Sequence, residues 1–577
     1  MTKRWNIREQ PEARDVEHLA RQVGLSGVAA CLLLQRGVST PEEAEAFLHP
    51  KLSGLHDPFL MRDMSKAVNR IRKAISGGEK ILVYGDYDVD GATAVALVYK
   101  ALRRIEGSGD RLGYYIPDRY TEGYGISRQG LEYAHREGYA LVIALDCGIK
   151  AVDRMREANE LGIDFIICDH HKAGDTLPAA LACLDPKRPD CSYPDKNLSG
   201  CGVGYKLMEA LFMSLGKERG ELAAYLDMLV ISISSDIVPM IGENRIFAFW
   251  GLQRLNSRPS VGLKAIMDVA GVEPGRATIA DIVFKIGPRI NAAGRIKNGA
   301  DAVRLLVATD TAEARAISCE MDFSNDERKD LDREITREAM DMIDMSDELR
   351  DASSIVVYGP SWSKGVIGIV ASRLTETFLR PAVVLTRSQA DPTLATGSAR
   401  SVEGFDLYKA IESCAALLED FGGHTHAAGL TMKIENVAPF TRMFMQYVDE
   451  NAQPADPTPV IDADMEISLA DINRRLIYEL DAMEPFGPGN TRPVFITTDV
   501  YDYSTSKVFG HMRQHLKLDM IEADGRAVRS GIGFGLGDMY RAVGGDSPFD
   551  VCYTIDRNVY RGRTSVQLMI KDIHTSI

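Results

Sequence analysis

One segment of the chain carries three aspartates immediately after an apolar, strand-like run. Residues 80–94 read KILVYGDYDVDGATA, which places Asp86, Asp88 and Asp90 at alternate positions before a glycine and small residues that open a helix. Three carboxylates at this spacing repel one another unless cations lie among them. A solvated acidic turn is the alternative, whereas an EF-hand fits poorly because its glycine and later glutamate are misplaced. The segment therefore predicts a cation-binding turn.

Further acids and two adjacent histidines follow other apolar runs that we interpret as strands. They are Asp146 after residues 141–145, Asp169, His170 and His171 after 163–168, and Asp236 after 229–233. Imidazole beside carboxylate is a ligand set for Mn²⁺ or another borderline metal, whereas all-oxygen sites suit Mg²⁺ and Ca²⁺. Any one of these acids could cap a turn, but acids after four apolar runs, counting the one at 81–84, together with a histidine pair predict a metal site.

The elements that must position these residues form an alternating pattern. From Lys80, short β-branched runs at 81–84, 112–116, 141–145 and 163–168 alternate with longer amphipathic stretches, and we extend this pattern through 227–238. Such alternation is typical of βαβ units around a buried parallel sheet. In such a sheet the carboxyl ends of the strands meet in one crevice. Residues 1–65 are expected to form short helical pieces.

The second half of the chain predicts a connector and two more domains. Residues 310–351 hold 15 acidic and 6 basic residues without Gly or Pro, which indicates a long solvated helix. Strands at 355–358 and 382–386 suggest a smaller α/β domain. Beyond the proline-rich residues 453–459, short strands at 515–520, 551–555 and 565–570 suit a small barrel of the OB type, among other folds. The predicted domains are 1–65, 66–275, 276–351, 352–453 and 454–577.

Composition limits the class of protein. The 577 residues carry a net charge of −15, which argues against a protein whose whole surface binds polyanions. It does not exclude a local basic groove that binds phosphates. The sequence lacks a run of 18 apolar residues that would span a membrane. Nine cysteines, an odd number, fit a reducing cytosol better than a disulfide framework. We expect a soluble cytoplasmic protein.

Basic and glycine-rich segments are candidates for phosphate binding. Arginines among Gly and Asn suit a phosphate seat because the guanidinium binds phosphate with a planar fork, although a solvated loop is an equal alternative. Residues 117–125 are a further candidate segment, for which a packed loop without a binding role is the alternative. The two histidines at 424–426 are not expected to form a second metal site, because no acid lies close to them in the sequence. The candidates are Arg289, Arg295, Lys297 and Arg304, then Arg119, Tyr120 and Tyr124, and finally His424 and His426.

Several motifs resemble one known family. GDYDVDG, DCG, DHH and SSD are similar to the four motifs of the DHH phosphoesterase superfamily. GPRINAAGR at 287–295, GSAR at 397–400, FGGHTHAAG at 421–429 and EPFGPGN at 484–490 resemble segments of the RecJ nucleases, in the same order. The resemblance covers essentially residues 30–577.

The resemblance implies a fold and a function. The fold is a parallel-sheet DHH domain, a long linking helix, a smaller α/β DHHA1 domain and a C-terminal OB-like barrel. The activity is two-metal, 5′→3′ exonucleolytic hydrolysis of single-stranded DNA to mononucleotides with Mn²⁺ or Mg²⁺, in repair, recombination and mismatch repair. Two cations about 3.5–4 Å apart clamp the attacking and leaving oxygens of such a reaction. The implied partners of this monomer are a single-strand-binding protein and a RecQ-type helicase.

The resemblance also implies site residues. By this likeness, the metal ligands are Asp88, Asp90, Asp146 as the bridge, His170 and Asp236, while His171 contacts the phosphate beside the catalytic Asp146 and Asp90. Asp86 is a further candidate ligand, because this chain has Tyr84 where related pyrophosphatases carry a ligand histidine. The implied 5′-phosphate and DNA contacts are Arg295, Ser398, Arg400, Arg119, Tyr124, Arg289 and His424.

Two other interpretations of the sequence remain open. A phosphodiesterase for short oligonucleotides is typically shorter and lacks the barrel, so the residues after 493 argue against it. A non-enzymatic DNA-binding scaffold of the same fold would have a decayed metal site, whereas the acidic motifs here are intact. In the barrel, the candidate strand-binding residues are Arg513, Lys517, Arg557, Arg561 and Arg563, with Tyr501, Phe509 and Tyr560 as stacking platforms.

Overall fold

The computed structural model describes residues 3–107, 110–296, 298–389, 391–451, 458–545, 547–560 and 563–575. The chain forms two compact units. One comprises Asp57–Asp236 and Gly251–Pro457, and the other comprises Met1–His56, Ile237–Trp250 and Thr458–Ile577. Within the described ranges, no helix combines the length and the apolar character needed to cross a membrane.

The strands belong to four sheets among the described residues. In chain order they are β1 (Arg4–Ile7), β2 (Lys80–Gly85), β3 (Leu112–Tyr115), β4 (Tyr139–Leu145), β5 (Asp164–Cys168), β6 (Ala182–Leu184), β7 (Ile355–Tyr358), β8 (Ala382–Arg387), β9 (Leu394–Arg400), β10 (Leu418–His424), β11 (Ala427–Lys433), β12 (Val460–Ala463), β13 (Met465–Glu466), β14 (Val494–Asp502), β15 (Lys507–Phe509), β16 (His515–Glu522), β17 (Val528–Gly533), β18 (Phe549–Tyr560) and β19 (Arg563–Thr575).

The helices lie between these strands in the sequence. They are α1 (Ala13–Val23), α2 (Gly27–Gln35), α3 (Pro41–Leu48), α4 (Met64–Gly77), α5 (Val89–Glu106), α6 (Arg128–Arg136), α7 (Val152–Glu160), α8 (Gly200–Ser214), α9 (Leu226–Ser235), α10 (Gly242–Ser257), α11 (Val261–Val269), α12 (Ile279–Asp281), α13 (Gly287–Ile296), α14 (Ala300–Val307), α15 (Thr311–Asp344), α16 (Asp347–Asp351), α17 (Ile367–Phe378), α18 (Leu407–Ser413), α19 (Val437–Asn451), α20 (Arg474–Ala482) and α21 (Tyr540–Val543).

The first large sheet has the order β3-β2-β4-β5-β6, and all its pairings are parallel. Its central strands β2, β4 and β5 are almost entirely buried, as expected when helices cover both faces of a parallel sheet. Gly85 pairs with Leu145, which pairs with Cys168, so these three strands end at the same level. This register brings the residues that follow them to one edge of the sheet.

The segment 227–238 corrects the sequence interpretation. We predicted a strand here, but Leu226–Ser235 form helix α9, which packs against α5 and α8. Every residue from Leu226 to Ser234 is buried, so this helix has no solvated face to reveal its period. A continuous apolar run cannot distinguish a buried helix from a buried strand by periodicity alone. Asp236 therefore follows a helix rather than a strand.

The acidic connector is a helix, as predicted, but it is not simply solvated. Helix α15 spans 34 residues and packs against α11, α13 and α17. Its buried residues include Ile317, Met321, Ile335 and Ile343, which form an apolar stripe. The dense charge on the rest of the helix concealed this stripe in the sequence.

The smaller α/β domain contains a five-stranded sheet in the order β10-β11-β9-β8-β7. Strands β7 and β8 pair in parallel, and the remaining pairings are antiparallel. Helix α17 packs against β8 and β9. The glycine-rich residues 422–429 fall in the hairpin of β10 and β11.

The C-terminal sheet has the strand order β13-β14-β18-β19-β17-β16-β15. Because β14 also pairs with β16, the five strands from β14 to β16 in this order close into a barrel, which β13 and β15 extend. The predicted α/β architecture with a terminal OB-type barrel is confirmed. Strands β18 and β19 are longer than the short runs predicted at 551–555 and 565–570.

Strand β1, which the sequence did not predict, pairs in parallel with β12. The predicted domain boundaries stay predictions.

Candidate metal centre and adjoining cationic cavity

The turn between β2 and α5 presents the first two aspartates. Asp88 caps α5 and accepts a 3.0 Å hydrogen bond from the Gly91 amide. Asp86 is buried, and its Oδ1 has no hydrogen-bond partner among the described residues. A Cβ at Gly91 would lie 2.5 Å from the Asp86 carbonyl oxygen, so the turn requires glycine at this close approach.

Asp90 lies in the first turn of α5 and is almost completely buried. Its carboxylate accepts hydrogen bonds from the Gly200 amide at 2.7 Å and the Cys201 amide at 2.8 Å, both at the beginning of α8. It also accepts a 2.7 Å bond from Ser232 Oγ on α9. These donors offset the cost of burying the charge and fix the orientation of the carboxylate.

Asp146 follows β4 in a strained conformation. Its φ is +58°, a left-handed value that is uncommon outside glycine and often occurs at functional sites. A Cβ at Gly200 would lie 2.6 Å from Asp146 Oδ1, so helix α8 begins directly against this carboxylate. Asp146 Oδ1 is buried and has no hydrogen-bond partner in the described part of the chain.

His170 lies at the centre of the acidic cluster. Its Nε2 is 3.2 Å from Asp146 Oδ1, 3.6 Å from Asp236 Oδ2 and 3.8 Å from Asp90 Oδ2. Neither nitrogen of this buried ring has a hydrogen-bond partner among the described residues. Ligand atoms that share one cation at about 2.1 Å lie about 3 Å or more apart, so this spacing fits a coordinated metal.

These side chains form two overlapping groups that could each hold a metal ion. One group contains Asp146, His170 and His171, and the other contains Asp90, His170 and Asp236. Asp86 and Asp88 lie on the turn before α5. The structure therefore brings together four of the residues that the motifs implied as ligands, Asp90, Asp146, His170 and Asp236, although Asp236 reaches the cluster from a helix.

His171 is partly exposed beside this cluster. Its Nδ1 lies 2.7 Å from Asp169 Oδ1, and the Tyr124 hydroxyl lies 3.4 Å from the same nitrogen. Asp169 is buried and also accepts hydrogen bonds from the backbone amides of Ile149, His170 and His171. Asp169 thus orients the His171 ring.

The electrostatics of the cluster favour bound cations. Burial raises the pKa of Asp146 well above its usual range, and the charges of Asp90 and Asp88 raise it further. Burial and Asp88 raise the pKa of Asp86 in the same way. Burial, Asp90 and Asp88 raise the pKa of Asp236 to about 8. Divalent cations would relieve this repulsion, so the residues present fit the metals that the motifs imply.

A cavity of about 400 Å³ lies in the same unit as the cluster. Its lining includes four cationic side chains, Arg119, Arg295, Lys364 and Arg400. Tyr87, which lies between the two acids of the β2–α5 turn, also lines it. The cavity and the acidic cluster therefore share one loop, and we call this space the cationic cavity.

Hydrogen bonds hold the arginines of the cationic cavity. Arg295 Nη1 donates to the Gly365 carbonyl oxygen at 3.0 Å, and the Tyr120 hydroxyl donates to the carbonyl oxygen of Arg295. Arg400 Nη1 donates to Ser398 Oγ at 2.9 Å. The Arg119 guanidinium lies over the Tyr87 ring, 4.7 Å from its centroid. The predicted phosphate-binding residues Arg295, Ser398 and Arg400 thus converge on one cavity.

Other predicted site residues have different surroundings. Arg289 pairs with Asp322 on α15 at 2.8 Å and does not line the cationic cavity. Arg304 pairs with Glu313, and Lys297 lies outside the described residues. His424 lies at the end of β10 with its side chain largely exposed. Partial desolvation of its imidazole, together with the neighbouring His426 and Arg400, lowers its pKa.

Tyr84 is a structural residue in this chain. Its buried hydroxyl donates to the Gly125 carbonyl oxygen at 2.9 Å and accepts from the Ser127 amide at 3.1 Å. It therefore anchors the loop that carries Tyr124. Asp86, with its unpartnered Oδ1, remains the candidate for the ligand position that Tyr84 cannot fill.

Two of the basic residues predicted to bind DNA in the barrel are engaged in ion pairs. Lys517 pairs with Asp519, and Arg557 pairs with Asp481. Phe509 packs against His515, which contacts the exposed Phe534, with ring centroids 5.3 and 5.1 Å apart. Arg561 and the side chains of Tyr560 and Arg563 lie outside the described residues.

Sequence reasoning missed Lys364 and did not assign a role to Asp169. Lys364 lies in a loop between β7 and α17 that reads GPSWSKGV. A Gly- and Ser-containing loop with a lysine, between a strand and a helix, is only a weak signal for anion binding, because it lacks the spacing of a phosphate-binding motif. Asp169 was visible as the first residue of the DHH motif, but its hydrogen bonds depend on the fold.

Three family models match the chain. They are described as the DHH family, N-terminal domain, at residues 80–233, the DHHA1 domain at 351–450, and the RecJ OB domain at 463–572. A single-stranded-DNA-specific exonuclease RecJ from Bacillus subtilis is 37% identical over 573 residues, covering 99% of this chain and 71% of the relative. The chain belongs to the RecJ family of single-stranded-DNA-specific exonucleases.

Solved structures of RecJ family members agree with this assignment. The crystal structure of RecJ from Thermus thermophilus in complex with Mn²⁺ matches with a TM-score of 0.83 and 26% identity, covering 100% of this chain and 80% of that one. The corresponding complex with Mg²⁺ matches with a TM-score of 0.78 and 25% identity, covering 100% of this chain and 79% of that one. The predicted cofactors, Mn²⁺ or Mg²⁺, agree with the metals in these two relatives.

Proposed function

We propose that this RecJ family member removes mononucleotides from the 5′ end of single-stranded DNA. The observation that carries the proposal is the shared loop: the turn that holds Asp86 and Asp88 also contributes Tyr87 to the cationic cavity. A cation-binding cluster beside an anion-binding cavity suits a reaction in which one phosphate is held while a neighbouring one is hydrolysed.

The acidic cluster is proposed to hold two divalent cations. Asp90, Asp146, His170 and Asp236 would hold them, and Asp88 and Asp86 are further candidate ligands. Such cations stabilise the charge that develops on a phosphodiester and promote deprotonation of the attacking water. The unpartnered, buried atoms of Asp146 and His170 support this assignment.

His171 is proposed to contact the reacting phosphate. Because Asp169 binds Nδ1, the opposite nitrogen Nε2 is the one left for a phosphoryl oxygen. A protonated ring would donate to that oxygen. Tyr124, whose hydroxyl lies 3.4 Å from His171 Nδ1, is well placed to limit the movement of the ring and to stack on a base.

The direction of degradation is proposed to depend on Arg295, Ser398 and Arg400. These three side chains would seat the terminal 5′-phosphate, since arginine binds phosphate through charge-assisted hydrogen bonds. A seat that accommodates a chain end, but not a continuing strand, would restrict hydrolysis to that end. Arg119 would add positive charge beside this seat, and His424 would contact the strand.

The test compares matched oligonucleotides with 5′-phosphate and 5′-hydroxyl ends. Wild-type protein should prefer the phosphorylated end, and Arg400→Ala should lose most of that preference while retaining activity on hydroxyl ends. Each charge-assisted bond of about 1.5–3 kcal/mol corresponds to about 10- to 150-fold in binding. An unchanged ratio of initial rates between the two proteins would show that Arg400 does not bind the chain end.

The cellular setting is also a proposal. We propose that the enzyme acts in the cytoplasm, in DNA repair, recombination and mismatch repair. We propose that a single-strand-binding protein and a RecQ-type helicase supply the unpaired strand to a monomeric enzyme. Sedimentation of the purified chain, with and without each protein, would reveal both its oligomeric state and a stable complex.

A further inference from the structure

The cationic cavity carries more positive charge than one terminal phosphate requires. Arg119, Arg295, Lys364 and Arg400 all line it, and no Asp or Glu does so among the described residues. Among the described residues, none of these four side chains forms an ion pair with a carboxylate. The three arginines instead contact backbone carbonyl oxygens, the Ser398 hydroxyl and the Tyr87 ring. A phosphate monoester at neutral pH supplies a charge of only about −1.5 to −2.

The four cations affect one another. Burial lowers the pKa of Arg295 to about 10, and Arg119, Arg328 and Arg400 contribute to that fall. Partial burial and Arg119 lower the pKa of Lys364. Like charges held together with no carboxylate among the described lining residues repel one another, so a highly charged anion is a better complement to the cavity than a single phosphate.

The backbone also favours the binding of anions in the cationic cavity. Helix α17, twelve residues long, begins at Ile367, and its first three residues line the cationic cavity. The amino end of a helix attracts anions through its amide groups and its dipole. A Cβ at Gly368 would lie 3.1 Å from Ser398 Oγ and 3.2 Å from Arg400 Nη2, so glycine allows the proposed phosphate seat to lie close to the helix.

We propose that the cavity extends beyond the 5′-phosphate seat into a subsite for further phosphoryl groups. The α-phosphate would occupy the seat of Arg295, Ser398 and Arg400, and Lys364 with Arg119 would bind the β- and γ-phosphates. The enzyme would then degrade single strands that carry a 5′-di- or triphosphate. This inference rests on the proposed seat and extends its substrate class.

The reaction at such an end is the same hydrolysis with a different first product. The water oxygen bonds to phosphorus of the first internucleotide linkage, the bond from that phosphorus to O3′ breaks, and O3′ takes a proton. The first product is a nucleoside 5′-triphosphate. The shortened strand retains an ordinary 5′-phosphate, so every later product is a monophosphate.

The experiment uses one single-stranded DNA sequence with three 5′ ends: hydroxyl, monophosphate and triphosphate. Initial rates and the first product are measured at a fixed concentration of free Mn²⁺. Wild-type protein should cleave the triphosphate strand at least as fast as the monophosphate strand and release a nucleoside triphosphate. Lys364→Ala should slow cleavage of the triphosphate strand at subsaturating substrate by about 10- to 150-fold.

Matched controls separate this subsite from other effects. Lys433→Ala removes an exposed lysine from the same domain and should leave all three rates unchanged. Lys364→Ala should keep the monophosphate-to-hydroxyl ratio, because the seat itself remains. Equal slowing of all three strands by Lys364→Ala would overturn the proposal, since Lys364 would then bind an internucleotide phosphate.

Two further outcomes distinguish the subsite from the seat. If wild type prefers monophosphate over hydroxyl but rejects triphosphate, the cavity ends at the seat and the extension is wrong. If wild type does not distinguish monophosphate from hydroxyl, the proposed seat itself is wrong and the extension falls with it. Competition by free dATP without cleavage of the triphosphate strand would also overturn the proposal, because the cavity would then serve a free nucleotide.

Discussion

Asp169 Oδ1 lies 2.7 Å from Nδ1 of His171, two residues further along the chain. Burial opposes ionisation of Asp169, but the hydrogen bond and charge of His171 outweigh it and lower the pKa of Asp169 to about 2. A carboxylate is only an acceptor, so Nδ1 must carry the proton in this contact. Asp169 therefore sets both the orientation and the tautomer of the ring that we propose to contact phosphate.

Asp169→Asn should reduce kcat by about 10- to 100-fold, the usual effect of removing a partner that orients a catalytic ligand. The fold should persist, because the amide oxygen can still accept the bonds from the His170 and His171 amides, and only the acceptor for the Ile149 amide is lost. Steady-state kinetics with Mn²⁺ would measure the change, and Asp153→Asn, an exposed aspartate on α7, is the matched control. Full activity of Asp169→Asn would show that His171 needs no such partner.

Asp146→Asn should abolish hydrolysis while leaving the metal-free protein folded. Asparagine is preferable to alanine here, since the positive φ of Asp146 suits Asp or Asn better than Ala. The change removes one metal ligand and one repelling charge from the cluster. Calorimetric titration with Mn²⁺ should show weakened binding, and retention of wild-type turnover would contradict the assignment.

The metal-free protein should lose stability as pH rises. The pKa of Asp236 is about 8 in the folded chain, against 3.8 for the unfolded group. A carboxyl group with a raised folded pKa contributes stability that is complete below about pH 4 and is lost progressively up to about pH 8. Thermal unfolding in EDTA should therefore show a Tm that falls across this range, and Asp236→Asn should weaken the pH dependence.

Added Mn²⁺ should reverse that trend. Metal ligands bind as carboxylates, so metal binding releases protons and strengthens as pH rises. The increase in Tm on adding Mn²⁺ should be larger at about pH 8 than at about pH 6. A Tm increase that is the same at both values would indicate that the carboxylates of the cluster are already ionised without metal.

The sequence predicted the parts of this molecule that depend on local pattern. The ends of β2, β4 and β5 were predictable because β-branched runs stop at acidic turns, and the parallel register then aligns Asp86, Asp146 and Asp169. Helix α9 was misassigned because burial on all sides removes the helical period. Asp236 was nevertheless assigned to the metal-binding cluster, because it follows an apolar run and lies in the SSD motif, and both signals hold whether that run is a strand or a helix.

Non-local features of the site could not be predicted from the sequence. The hydrogen bonds from the amides of Gly200 and Cys201 to Asp90 join segments more than 100 residues apart, which no local pattern encodes. The pairing of Arg289 with Asp322 likewise places a predicted DNA contact in an ion pair with the connector helix. Lys364 was missed because its loop resembles an ordinary turn until the cavity is assembled around it.

The role of the barrel is better tested by substitutions than by truncation. Leu19 and Leu33 of the N-terminal helices share one core with Leu516 and Leu568 of the barrel, so removing residues 493–577 would expose that core. A truncated protein that failed to bind DNA would therefore reveal only misfolding. Single substitutions at exposed aromatic residues avoid this problem.

Phe534→Ala should weaken binding to long single strands while leaving cleavage of very short ones nearly unchanged. Phe534 is 59% exposed and contacts His515, which in turn packs on Phe509, so these rings can present stacking faces to bases. Stacking of one base on an aromatic side chain is worth about 1–3 kcal/mol. Fluorescence anisotropy with a long oligonucleotide should show the loss, and Tyr478→Ala, which removes a 70% exposed aromatic ring from α20, should not. Equal effects of the two substitutions, or none from Phe534→Ala, would mean that the Phe509–His515–Phe534 cluster is not a platform for the strand.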